Sequence, residues 1–349
     1  MVTLSDVKAA NATLLSTKPF VAVVAGGTAG IGEDAVRGLA TVFAKQGDQL
    51  RVYIVGRRQS AAEAIIADCR RVCPGGDFTF VGGNLQLMRE VDRVCDQIIE
   101  TETKLAEADN QKPKVDFLLC SQGILTLNYN ETEEGIPALI ALAHYSRMRF
   151  AVQLLPLLGN APGGGHVSSV INAGVKPVIL LDDLDLKDPK NRGLGSAFGH
   201  LCCIHNAFMC ELARRNPGKI ALSHIYPGFV DTNIAQTSDF NWVLKFLLKW
   251  VVRPLTLPFY IPHDEVGQRM VFTATDRFTP AGADQVPDVI SAEGMNGQKG
   301  SGAYRITQYG ETYPEEKQYA TLMENGGSDK IFEHTIKVFE DIKTNGVHK

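Results

Sequence analysis

The chain has no excess of basic residues, no uninterrupted apolar run long enough to cross a bilayer, and no second cysteine/histidine pair near Cys69 and Cys73. Its 35 Lys and Arg stand against 39 Asp and Glu, for a formal charge of -4. The cations are scattered, so the electrostatic footprint of a nucleic-acid binder is missing. Cys69-Arg-Arg-Val-Cys73 lacks the further ligands that would complete a tetrahedral zinc site, and no metal is expected. The seven cysteines are odd in number and sit in apolar or helical-looking runs, which fits buried free thiols in a reducing compartment. Residues 1–18 are mixed polar and carry no secretory h-region, so a cytoplasmic location is expected. What is present is the composition of a globular protein, with 44% hydrophobic and 21% charged residues in 349 positions. That length suits one large domain with additions better than two equal domains.

Phe20-Val-Ala-Val-Val-Ala25 is a continuous β-branched and apolar run bounded by a glycine-rich turn, the pattern of a parallel strand buried on both faces. Helical spacing follows over 33–46. Strands are then predicted over 49–55, 78–81, 115–119, 165–170 and 220–225, alternating with helices over 61–72, 87–106, 136–158 and 196–215. Strands alternating with helices imply right-handed crossovers and a parallel sheet. The expected architecture is therefore α/β, a Rossmann-type doubly wound parallel sheet with helices on both faces, plus an apolar lid segment and a C-terminal extension. Beyond residue 226 the pattern changes, with helix candidates over 241–250, 266–274 and 328–343, a late strand over 301–309, and a Gly/Pro-rich surface loop over 279–300. The expected division is a lead over 1–17, a core over 18–235, a substrate lid and following helix over 236–275, and an extension packed on the core over 276–349.

The chemical signal is the turn Gly26-Gly27-Thr28-Ala29-Gly30-Ile31-Gly32 between the first strand and first helix. Glycines there let the backbone approach a pyrophosphate and let the helix pack close to the strand, while helix N–H groups hold the anion. The second strand ends in Val55-Gly56-Arg57-Arg58, where an acidic residue would accept the ribose hydroxyls of NAD. Arg57 and Arg58 favour the extra phosphate of NADP instead.

The Gly-x-x-x-Gly-x-Gly spacing resembles the short-chain dehydrogenase/reductase family over about residues 18–235. Carried over position by position, the resemblance implies cofactor contacts from Gly26, Thr28, Gly30, Ile31 and Gly32, from Arg57 and Arg58, and from Asn84-Leu85 at the adenine. It adds Gly123 of Cys120-Ser121-Gln122-Gly123, and Pro227, Gly228 and Thr232 beside the nicotinamide. Ser169 of His166-Val-Ser-Ser-Val170 matches the family's catalytic Ser. The remaining catalytic positions depart from the pattern. Counting from Leu154-Leu155-Pro156 puts the family's Asn on Ala143, and counting from Glu211-Leu212-Ala213-Arg214-Arg215 puts its Tyr and Lys on Phe198 and Cys202. No Tyr-x-x-x-Lys occurs between Ser169 and Pro227. Phe has no acidic proton and Cys no fixed positive charge, so a Tyr/Lys pair cannot deliver the proton. His205 and Tyr226 are the nearest replacement acids.

With Tyr145-Ser146-Arg147-Met-Arg149-Phe150, the chain resembles a divergent fungal branch of the family associated with secondary metabolism. That resemblance implies a small apolar organic substrate such as a polyketide or terpenoid. The expectation is an NADP(H)-binding oxidoreductase with a non-standard proton donor. A non-redox isomerase, dehydratase or cyclase, and a cofactor-binding protein without turnover, stand as alternatives. The apolar run over 242–252 reads as a lid, as a core helix, or as a peripheral membrane contact. Relatives commonly pair through the two helices that here carry Ala143 and Phe198, so a homodimer is one expectation. The His144–Phe150 run and the C-terminal extension leave it open.

Overall fold

The computed structural model describes residues 1–348 apart from Leu127, Asn233, Ala235, Thr237, Gln285, Val286, Asp288 and Glu315, and only the backbone of Leu194. Ala235, the expected end of the core, lies outside the described residues, as do Gln285, Val286 and Asp288 of the expected 279–300 loop.

Among the described residues seven strands form one sheet: β1 (Phe20–Ala25), β2 (Leu50–Gly56), β3 (Asp77–Gly82), β4 (Phe117–Cys120), β5 (Gly165–Val170), β6 (Ile220–Ile225) and β7 (Ala303–Ile306). They run parallel in the order β3-β2-β1-β4-β5-β6-β7. This is the doubly wound Rossmann-type arrangement, and the order reverses between β1 and β4, where such sheets open a crevice at the strand C-termini.

The period of two along β1 explains why both faces are apolar. Phe20, Ala22 and Val24 join a core with helices α1 (Leu4–Asn11), α2 (Gly30–Val42) and α3 (Gln59–Val72). Val21, Val23 and Ala25 point the other way, into a core shared with α4 (Met88–Ala108) and α5 (Ser146–Gln153). The same core takes in α6 (Leu194–Arg215) and the C-terminal helix, Gly327–Asn345.

Several expected elements change at their ends or break. The helix predicted over 136–158 is a short turn at Ala138–Ile140, a π turn over Ala141–Tyr145, then α5 and a separate turn at Leu155–Leu158. A π turn inserts one extra residue per turn, and Pro156 has no N–H to continue the ladder. The late strand shrinks to Ala303–Ile306, because Gly302 before it takes a positive φ of 80° and Thr307–Gly310 closes a turn after it. The helix expected over 266–274 begins earlier, as Pro262 sets its N-terminus and gives His263–Phe272. A further helix, Lys317–Glu324, has no counterpart in the sequence reading.

The apolar run over 242–252 is not a core helix. It is helical over Trp242–Leu247, continues as a π turn over Leu248–Val252, and buries none of those residues. Among the described residues no helix is long and apolar enough to cross a membrane.

Candidate functional site

The turn after β1 is held by Gly26 and Gly27 N–H groups donating to the Val55 carbonyl at 2.9 and 3.1 Å. Gly26 has a φ of +84° and Gly30 one of +56°, left-handed conformations open to glycine at no cost. The packing leaves no room for more. A Cβ on Gly26 would sit 2.6 Å from Gln122 N, and one on Gly32 2.4 Å from the Gly26 carbonyl oxygen and from Ser121 Oγ. Helix α2 starts with no side-chain cap at Ala29, which leaves its first N–H groups available to an anion.

A cleft of about 940 Å³ opens there. Its walls include Gly26, Thr28, Gly30, Ile31, Arg57, Arg58, Asn84, Leu85, Gly123 and Thr232 from the sequence reading. Gly32, Pro227 and Gly228 are not in its lining. Gly32 lies behind the turn, packed on Gly26, while Gly228 takes a φ of +75° that redirects the chain after β6. Thr232 returns to the turn, its methyl 3.1 Å from where a Cβ on Gly30 would stand.

The end of β2 carries both arginines. Arg58 Nη2 donates to the Thr28 carbonyl at 3.2 Å, so this guanidinium is anchored at the rim of the glycine turn. Arg37, also in the wall, is held by Glu33 and Asp68. At the mouth the His263 Nδ1 lies 2.9 Å from an Asp34 carboxylate oxygen, and Asp34 pairs from inside α2. Burial raises the Asp34 pKa, while the bond to Asp34 raises that of His263.

Ser169 and His205, read separately from the sequence, meet: Ser169 Oγ and His205 Nε2 are 2.8 Å apart. Both are fully buried and neither reaches the lining of the cleft. The chain of bonds runs on from His205 Nδ1 to His144 Nδ1 at 3.4 Å, and from His144 Nε2 to Thr335 Oγ1 at 3.1 Å. Burial pushes the His144 pKa down to about 3 and that of His205 well below its usual value, so both imidazoles are neutral.

Ser169 also accepts from Arg147. Arg147 Nη1 donates to Ser169 Oγ at 2.8 Å and to the Val170 carbonyl at 2.8 Å. Its Nη2 donates to the Gln122 carbonyl and its Nε to that of Leu142 at 3.2 Å. Every one of these partners is neutral. Burial lowers the guanidinium pKa to about 10, which still leaves it charged at neutral pH. The sequence reading passed over Arg147 and His144 as site residues. Their signal was ionisable side chains set among apolar residues of the 138–153 run, where burial leaves them few partners.

The remaining positions differ in exposure. Tyr226 is half-buried just after β6 and, like Ser169 and His205, lies outside the lining of the cleft. Cys202 is buried, its Sγ 3.5 Å from the Asn172 carbonyl, and burial pushes its thiol up to about 12. It stays a neutral thiol and supplies no charge. A second polar cluster lies below the π turn, where Asp185, His334 and His348 bring their ligand-type atoms within 4.8 Å of one another. Tyr145 donates to Asp185 Oδ1 at 2.6 Å, and His348 Nδ1 is 2.9 Å from Asp341.

No family model matches the chain. It is 34% identical to an oxidoreductase of Emericella nidulans, with 100% of both chains covered. It is 33% identical to a short-chain dehydrogenase/reductase of Stachybotrys chartarum over 98% of both chains. Among solved structures, a carbonyl reductase from chicken fatty liver with NADPH bound shares the fold at a TM-score of 0.51. That match is 14% identical and covers 85% of this chain and 99% of the other. The chain belongs to the short-chain dehydrogenase/reductase family.

Proposed function

We propose that the protein is an NADP(H)-dependent oxidoreductase acting on a small apolar metabolite, with a proton donor other than the family's Tyr/Lys pair. The observation that carries this reading is the end of β2, where Arg57 and Arg58 line the cleft beside the glycine turn. Two cations there favour a phosphate on the adenosine ribose. Gly26 and Gly30 of the turn line the cleft, where a pyrophosphate would approach the backbone. When bound, the cofactor supplies the hydride; the protein binds it, orients it and handles the proton. The NADPH held by the carbonyl reductase of like fold supports the same assignment.

Among Ser169, His205 and Tyr226, only Tyr226 is not fully buried, and it directly precedes Pro227-Gly228. We assign Tyr226 as the group that gives the proton to the substrate oxygen. Ser169 and His205 form a neutral hydrogen-bonded pair fixed by Arg147, away from the cleft lining.

Fluorescence titration with NADPH and NADH, followed by an NADPH-consumption assay on apolar ketones and enones, tests this reading. Tight NADPH binding and substrate-dependent oxidation are expected, with Tyr226→Phe retaining the first and losing the second. Full burial of Ser169, whose oxygen is engaged by both Arg147 and His205, favours the second reading, a cofactor-binding protein or non-redox catalyst. NADPH binding without consumption on any substrate would establish that second reading.

A further inference from the structure

Over Trp242–Phe259 the chain forms one continuous helical stretch: Trp242–Leu247, Leu248–Val252, Arg253–Thr256 and Leu257–Phe259. None of its residues is buried. Its large apolar side chains stand in water: Trp242 is 78% exposed, Phe246 54%, Trp250 62%, Leu255 71% and Phe259 69%. Only Leu244 and Leu248, one turn apart, lean inward to half burial along with Lys245 and Thr256. A contiguous apolar surface of this kind marks an interaction site.

Charge identifies the occupant. Between Asp239 and Asp264 there is no acidic residue, while Lys245, Lys249, Arg253 and His263 lie in that interval. Lys245, Lys249 and Arg253 follow at steps of four and share one side of the helix. Lys249 Nζ rests 5.5 Å from the Trp250 ring, and Arg253 is paired with Asp231. Tryptophans beside lysines on an apolar, acid-free helix match the layered chemistry of a lipid headgroup region: rings at the boundary, aliphatic side chains below, ammonium groups among phosphates. An anionic headgroup layer complements such one-signed charge.

We propose that this segment docks the protein on the surface of an anionic phospholipid bilayer, lying in the interface rather than crossing it. The proposal is independent of the redox reading. The chain contains 2 tryptophans, and both, Trp242 and Trp250, are in this segment, so intrinsic tryptophan emission reports on it alone.

The full-length protein is titrated with phosphatidylcholine vesicles with and without phosphatidylserine, following the emission maximum and co-sedimentation together. A blue shift with co-sedimentation, stronger when phosphatidylserine is present, is expected. Lys245→Ala and Lys249→Ala should each weaken partitioning about fivefold, and added salt should weaken it as well. Phe246→Glu combined with Leu255→Glu should abolish vesicle binding while leaving the thermal unfolding temperature unchanged, since both side chains are exposed. Emission unchanged by any vesicle would overturn the proposal. So would a blue shift that needs no lipid: one that follows protein concentration with a doubling of mass would assign the face to a second copy. One that follows NADPH plus an apolar ligand would assign it to a lid.

Discussion

Arg147 is a buried cation whose partners among the described residues are a serine hydroxyl and three backbone carbonyls, with no carboxylate. Its planar fork suits several acceptors at once in a way an ammonium cannot. Arg147→Ala strands the Gln122, Leu142 and Val170 carbonyls, each buried group costing roughly 1–3 kcal/mol without additivity. A thermal melt should show the unfolding temperature falling by several degrees, with Arg147→Lys recovering only part of the loss. At the glycine turn the test is steric. Gly32→Val places a Cβ 2.4 Å from the Gly26 carbonyl oxygen and Ser121 Oγ, so the turn must open. Isothermal titration with NADPH should then show affinity lost by at least about tenfold, and unaltered binding would remove the turn from the cofactor site. The glycines could be read in advance because the constraint is local, a turn between neighbouring residues. Arg147 could not, because two of the carbonyls that hold it, those of Gln122 and Val170, come from other segments of chain.

The C-terminal helix Gly327–Asn345 is fastened at both ends of one polar cluster. His334 Nε2 lies 3.1 Å from Asp185 Oδ1, and His348 Nε2 lies 3.2 Å from Asp185 Oδ2. Tyr145, Lys187 and Asp341 also face this group. Burial acts to raise the Asp185 pKa, but bonds from His334 and His348 outweigh it and hold the carboxyl well below its ordinary range. The bond to Asp185, helped by that to Asp341, raises the His348 pKa. A lowered carboxylate contributes stability above its unfolded value of about 3.9, and a raised histidine contributes below about 6.5. Both contributions are present from about pH 4 to 6.5, and the histidine part is lost as pH rises through the folded value of His348. Hydrogen exchange should therefore show the helix and tail less protected at about pH 8.5 than at pH 6. His348→Ala should remove that difference and cost about 1–3 kcal/mol at pH 6. The helix itself was readable from its apolar period over 328–343. Its fastening was not, because Asp185 and His348 are 163 residues apart.

At the scale of the whole molecule, a cofactor that binds the folded state and not the unfolded chain stabilises it by mass action. At a hundredfold excess over its dissociation constant the gain is about 2.7 kcal/mol, worth a few degrees in a protein of this size. NADPH should raise the unfolding temperature more than NADH at equal concentration, and Arg57→Glu with Arg58→Glu should reverse that order. Equal shifts from both cofactors, unaffected by the double substitution, would dissociate the arginines from the phosphate. The same measurement bears on the fold, since the cleft exists only where β1 and β4 part at the reversal of strand order.

The sequence by itself determined the strand and helix alternation, the glycine turn and the arginines after β2. Each of these is a pattern over a few neighbouring residues or a residue type at a counted position. Only the tertiary structure decided that Ser169 and His205 touch, that His144 reaches Thr335 across 191 residues, and that the 242–259 stretch is left uncovered by the rest of the chain. Those outcomes depend on which distant segments pack together. Burial, and with it the charge state of each histidine and of Arg147, is a property of that packing and is written in no single stretch of chain.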